Sequence, residues 1–180
     1  AEGYLFPDTY LFPRDVTAKT VYQKLTSTFS DKYESGVLPY AGDNKYTKAE
    51  IVIMASILER ETKGMAERPV VAGILWKRIE NDWPLQVDAT VQYAIANSTL
   101  ENWWPILTLD DLNIDSPYNT YKYKGLPAAP ISNPGLRSLQ AAANPIDSEY
   151  WFYIHSPDGV IHYAKTSAEH ASNVRKYLGK

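Results

Sequence analysis

No cysteine occurs in the 180 residues, which excludes a disulfide framework and any thiolate metal site. Lack of thiols fits a protein working outside the cytoplasm, although many cytosolic chains lack them too. Histidine is scarce. The three present, His155, His162 and His170, all fall near the C-terminus. None has HExxH spacing and no His/Asp/Glu cluster lies within reach in sequence, so neither a catalytic metal nor another cofactor is expected. Positive charge is not in excess: eighteen Lys and Arg against twenty-one Asp and Glu leave a net charge of −3. That is not the basic footprint of a nucleic-acid binder. No apolar run is long enough to span a membrane, and no signal-peptide pattern is present. A Gly-rich phosphate loop and a G-x-S-x-G nucleophile elbow are both missing.

What is present is 44% hydrophobic residues, enough for one globular domain with a real core. Fourteen Tyr and five Trp are many for this length. Rings with a polar handle cover sugar faces, and they also serve cores and interfaces. The chain opens abruptly on an aromatic-rich segment, AEGYLFPDTY, and is therefore expected to be a fragment of a longer protein, with any anchor upstream of Ala1.

The organising stretch is Ile51 to Arg68, IVIMASILERETKGMAER. At about 100° per residue, Ile51, Met54, Ala55, Ile57 and Leu58 share one broad helical face. Glu61 falls in the middle of that face; Glu59 and Arg60 fall outside it. A carboxylate on a core-facing stripe is costly unless paired, hydrogen-bonded or protonated. Desolvation raises its pKa toward working pH, which makes it a candidate catalytic acid. Periodicity leaves a second reading open, in which the helix stops at Arg60 and Glu61 reaches water.

The flanking elements read as follows. Glu2 to Arg14 is extended and punctuated by Pro7 and Pro13. Val16 to Tyr33 is an amphipathic helix carrying Val21, Tyr22, Leu25, Phe29 and Tyr33, and Gly36 to Lys45 is a loop. Thr47 and Glu50 form a capping box for the Ile51 helix, which Lys63-Gly64 should end. A helix from about Glu67 to Ile79 follows, with Pro69 in its first turn, so that the short turn brings Glu61 and Glu67 together. Glu67-Arg68 reads equally as a structural ion pair. Gln86 and Asp88 alternate with Leu85 and Val87 and point the same way; Asp88 also suits an N-cap for a helix over Ala89 to Ala96. Thr108 caps a short helix. Ser116 to Gly135 is a loop with four prolines, two glycines and interleaved tyrosines, the kind of loop that binds and equally a surface loop. Leu136 to Ala143 is a short helix, Ser156-Pro-Asp-Gly turns a hairpin between Tyr150–His155 and Val160–Tyr163, and Ser167 to Leu178 is a closing helix. The whole reads as one α+β domain over residues 1–180, helix-rich, with a small antiparallel β element.

By elimination the chemistry is acid–base catalysis by carboxylates, led by Glu61, with Asp88, Glu59 and Glu67 as helpers. Glycoside cleavage normally uses two carboxylates. One buried Glu serves both steps if the nucleophile belongs to the substrate.

Five blocks sharpen this reading: EGYLFPDTY (Glu2 to Tyr10), ASILERET (Ala55 to Thr62), the Glu67-Arg68 pair, LQVDATVQY (Leu85 to Tyr93) and SPYNTYKYKGLPAAPISNPG (Ser116 to Gly135). In content and order they resemble the YceG-like endolytic murein transglycosylase family (MltG), over nearly the whole chain. The family pattern A-S-I-[IV]-E-K-E has its catalytic acid/base at the second Glu, which falls on Glu61. Arg60 replaces the usual Lys, and Ala89 stands where Pro is common. The resemblance implies cleavage of the β-1,4 bond between N-acetylmuramic acid and N-acetylglucosamine in peptidoglycan glycan strands, with the muramyl C6 hydroxyl as nucleophile and a 1,6-anhydro end as product. Gln86, Asp88, Asn119 and Tyr121 are then the expected stabilisers of charge at C1. It further implies an N-terminal transmembrane helix and a LysM-like domain, both absent from this chain. The implied location is the outer face of the cytoplasmic membrane, beside the peptidoglycan synthesis machinery. Competing readings are a non-catalytic peptidoglycan-binding module, a hydrolytic muramidase in which Asp88 positions water, and a structural protein of the cell-wall complexes.

Overall fold

The computed structural model describes residues 1–42, 45–99 and 102–179, with side chains throughout except at 97–99. Six α-helices and a two-stranded antiparallel sheet are found among them, the α+β, helix-rich domain expected. No helix of the described residues is long and apolar enough to cross a membrane.

α1 (Ala18–Gly36) starts where Thr17 Oγ1 accepts from the Thr20 amide. It is longer than its apolar periodicity indicated and buries only its C-terminal half, through Phe29 and Tyr33. Tyr22, expected on the apolar stripe, is exposed, because the N-terminal half of α1 extends past the core. A 3-10 turn (Leu38–Tyr40) follows; Asp43 and Asn44 of the loop expected there lie outside the described residues. The Glu2–Arg14 segment is irregular, as Pro7 and Pro13 dictate. Asn133 Oδ1 anchors it by accepting from the amides of Gly3 and Leu5 at 2.8 and 3.1 Å.

α2 (Lys48–Glu61) is the hub. Its capping box forms as read: Thr47 Oγ1 accepts from the Glu50 amide and Glu50 from the Thr47 amide. Ile51, Val52 and every residue from Met54 to Leu58 are buried, so this helix is enclosed all round rather than on one face. α3 (Arg68–Glu80), α4 (Asp88–Thr99) and α5 (Leu136–Ala143) surround it. The proline-rich loop seals another side: Ser56 Oγ accepts from the Ile131 amide at 3.0 Å, and the Ser56 carbonyl accepts from Ser132 Oγ at 2.9 Å. α3 begins with Pro69 in its first turn and packs its Gly73 under the Ile146 carbonyl, where a Cβ would lie 2.0 Å from that oxygen. Only glycine permits that approach.

β1 (Phe152–His155) and β2 (Ile161–Ala164) pair with Tyr153 opposite Tyr163. Their turn closes at Gly159, whose φ is +85° and whose amide donates to the Ser156 carbonyl at 2.8 Å. α6 (Ser167–Leu178), N-capped by Thr166, covers this hairpin. Hairpin and α6 attach to the helical body through Arg78. Its Nε and Nη2 donate to the Trp151 carbonyl at 3.0 and 2.7 Å, and its Nη1 to the Leu85 carbonyl at 2.6 Å. A buried guanidinium is tolerable when its donors are so used.

Candidate active site

Glu61 is the last residue of α2. The helix therefore runs through it rather than stopping at Arg60, because the stripe that buries Met54, Ile57 and Leu58 continues onto it. Its carboxyl is partly buried and touches two other elements. Tyr153 on β1 donates its hydroxyl to Oε2 at 3.1 Å, and the Ala89 amide in the first turn of α4 donates as well. Burial pushes the Glu61 carboxyl above its ordinary range, and the nearby Asp88 charge adds to that; Tyr153, the Ala89 amide and Arg60 pull the other way without cancelling it. Tyr153 itself is pushed well above the usual phenol value by burial and by the Glu61 charge, so it stays a proton donor in hydrogen bonds.

Opposite Glu61, Gln86 and Asp88 are both exposed while Leu85 and Val87 are buried, the alternation read from the sequence. The segment is not a strand, however. Gln86 sits in the left-handed region at φ +52°, uncommon for a residue with a Cβ. Thr120 holds it there: the Thr120 carbonyl accepts from the Gln86 amide at 3.0 Å, and Thr120 Oγ1 from the Val87 amide at 3.1 Å. Asp88 opens α4, but its carboxylate accepts from the Tyr121 hydroxyl, while Glu61 receives the Ala89 amide. Burial and the Asp88 carboxylate raise the Tyr121 phenol.

Glu61, Gln86, Asp88 and Tyr121 thus line one cleft of about 510 Å3 together with Tyr153 and Arg78. The other three residues singled out lie behind it. Asn119 is fully buried and spends its side chain on backbone. It donates to the carbonyls of Leu112 and Ile114, each at 2.9 Å, and accepts from the Tyr121 amide at 3.0 Å. Its place is in shaping the turn that presents Tyr121. Glu59 accepts from the Gly135 amide and Ser138 Oγ at 3.0 and 2.7 Å, tying α2 to the start of α5, with Arg68 at 3.7 Å. Glu67 accepts from the Gly64 amide at 2.8 Å and contacts His155 Nε2 at 3.3 Å. Burial alone would raise the Glu67 carboxyl, but the Gly64 and Lys63 amides and His155 outweigh it and leave it lowered. Glu67 therefore reaches the cleft only through His155, which lines it.

Sequence reasoning missed Tyr153, Arg78 and His155. A signal existed for two of them. Strict alternation along β1 puts Tyr153 and His155 on one face of the strand. Nothing in the sequence said which face meets Glu61.

The YceG-like family model matches residues 1–176 of this chain. The chain is 34% identical over 181 residues to an endolytic murein transglycosylase of Bacillus subtilis (strain 168), an alignment covering 98% of this chain and 48% of that protein. It is 30% identical over 182 residues to an endolytic murein transglycosylase of Streptococcus pneumoniae serotype 2 (strain D39), covering 98% and 32%. A crystal structure of a YceG-like protein from Listeria monocytogenes superposes with a TM-score of 0.82 at 34% identity, covering 94% of this chain and 54% of that one. The chain thus spans about half, or less, of the relatives it matches.

Proposed function

The chain belongs to the YceG-like family, and from that membership we propose that it is the catalytic domain of an endolytic peptidoglycan lytic transglycosylase. Its substrate is the glycan strand, cut at the β-1,4 bond between N-acetylmuramic acid and N-acetylglucosamine. The observation that carries the reading is Glu61: a carboxyl whose pKa is raised by burial and by Asp88, yet whose anion has two ready donors in Tyr153 and Ala89. Such a group works as an acid first and a base second.

In the first step Glu61 protonates the bridging oxygen, and the bond from that oxygen to the muramyl C1 breaks. The Tyr153 and Ala89 hydrogen bonds strengthen as charge appears on Glu61. The Asp88 carboxylate, held by Tyr121, faces the positive charge growing at C1. In the second step the muramyl C6 hydroxyl bonds to C1 and its proton passes to the Glu61 carboxylate. Glu61 is thereby restored, no water is consumed and a 1,6-anhydro end is left. Gln86, pinned in a strained conformation beside Asp88, supplies an amide to the sugar. The proposed setting is the cell envelope, at the outer face of the cytoplasmic membrane. There an anchor outside this chain holds the domain near the synthesis machinery, and cutting nascent strands limits their length.

Mass spectrometry of glycan strands digested with this chain and with Glu61→Gln tests the reading. The expected result is 1,6-anhydromuramyl ends from the parent and a rate lower by about 10²–10⁴ in the variant, the usual worth of a general acid–base group. Reducing ends would mean hydrolysis, with Asp88 placing a water. Glycan binding without any cleavage would make the chain a binding module.

A further inference from the structure

Near the C-terminal end of α2, against Arg60, the surface carries a large exposed aromatic ring. Trp104 is 70% exposed, yet the turn that bears it is held firmly. Arg60 Nη2 donates to Gln92 Oε1 and to the Trp103 carbonyl, each at 3.1 Å. Gln92 Nε2 donates to the Pro105 carbonyl, also at 3.1 Å. The residues on both sides of Trp104 are thereby fastened to α2 and α4. The Arg60 guanidinium lies 5.6 Å from the Trp104 ring centre, a cation–π contact that orients the indole.

The fastening points connect the turn to the cleft. Arg60 immediately precedes Glu61 on α2. Gln92 lies four residues after Asp88 on α4, hence on the same face one turn along. The two helices that present Glu61 and Asp88 therefore also hold, through Arg60 and Gln92, the turn that carries Trp104.

We propose that Trp104 is a sugar-stacking platform, a subsite where a pyranose ring of the glycan strand lies against the indole, beyond the bond that Glu61 cleaves. The proposal rests on the glycan reading of the cleft and extends it. An indole offers a flat apolar face with a negative quadrupole, which suits the apolar C–H face of an uncharged acetamido sugar. The local charge points the same way. Arg60 is the cation at the turn, and it is engaged with Gln92, the Trp103 carbonyl and the indole; the sequence adds no Lys or Arg between Arg78 and Lys122, whereas Asp110 and Asp111 follow the turn closely. That makes a poor surface for an anionic bilayer.

A bilayer or a protein partner would use the turn as apolar mass, through Trp104, Ile106 and Leu109 together, all of them exposed. A sugar uses the flat ring. Anisotropy of end-labelled, uncross-linked glycan strands titrated with Glu61→Gln, alone and combined with changes at Trp104, separates these cases. Trp104→Ala is expected to weaken binding about tenfold, the scale of one aromatic stacking contact. Trp104→Tyr should retain most of the affinity, Trp104→Leu should not, and Ile106→Ser should be silent. Unchanged affinity in Trp104→Ala overturns the proposal. So does equal rescue by Leu and Tyr, which would assign the turn to a partner or a membrane. Cleavage by the parent, assayed in parallel, keeps the two readings apart. Strands cut with no dependence on Trp104 sink the platform alone; strands bound through Trp104 but never cut sink the reaction alone; no binding at all sinks both.

Discussion

Glu61 and its three neighbours set opposing demands on one proton. Burial and Asp88 favour the protonated carboxyl, while Tyr153 and the Ala89 amide favour the anion. Because the proposed first step needs the protonated form, activity should fall as pH rises through the Glu61 pKa. Removing a donor to the anion raises that pKa further, so Tyr153→Phe should move the alkaline limb of kcat/KM to higher pH while lowering the plateau. Removing the repelling charge does the reverse, so Asp88→Asn should move the limb to lower pH. A pH–rate profile of the three proteins checks both signs; shifts in one common direction would refute the assignment. Gln86 supplies a second test at this scale. Its φ of +52° costs energy that glycine would not incur. Gln86→Gly should therefore hold or raise the melting temperature while lowering activity, a trade expected where side chain matters more than backbone comfort. Loss of both stability and activity would mark Gln86 as structural.

Among the elements, the hairpin and α6 matter most, because β1 brings Tyr153 to Glu61. Their attachment runs through Arg78, whose guanidinium reaches the carbonyls of Trp151 and Leu85, with Trp83 packed on Trp151 and Phe152 at ring separations of 5.1 and 5.6 Å. Arg78→Met keeps much of the apolar stem and leaves those carbonyls without their donor. A loss of about 3 kcal/mol is expected from charge-assisted hydrogen bonds of this kind, read as a lower midpoint in urea. Activity should fall further than the unfolded fraction explains, since Tyr153 loses its placement. α2 is positioned differently, by burial on all sides and by the Glu59 tie to α5, and so gives Glu61 a rigid origin.

At the scale of the whole molecule, the site joins a densely buried body to a less buried unit. α2 and α3 are densely buried, whereas α6 contributes no buried residue and β1 is only partly covered. Regions with fewer buried apolar contacts open first. Native-state hydrogen exchange should accordingly show the amides of Phe152–His155 exchanging well before those of Ile51–Leu58, with α6 following the hairpin. Simultaneous exchange of both sets would mean that cleft and core open only together. The relation suits the proposed reaction, because a strand entering mid-length needs one wall of the cleft able to give way.

Local physics explains what was legible beforehand. The Thr47–Glu50 capping box, Pro69 at the start of α3, the Ser156-Pro-Asp-Gly turn and the apolar periodicity that singled out Glu61 all depend on residues a few positions apart. So does the alternation that exposes Gln86 and Asp88. The tertiary structure alone decided the rest. Tyr153 meets Glu61 across ninety-two positions of sequence, and Arg78 reaches both Leu85 and Trp151 because the hairpin folds back. Asn119 and Glu59 carry side chains of the right chemistry, yet their hydrogen-bonding capacity is spent on the backbone and on α5. Residue type and spacing determine which groups are able to act; which of them face the same cleft, and at what pKa, depends on contacts between segments that no local pattern encodes.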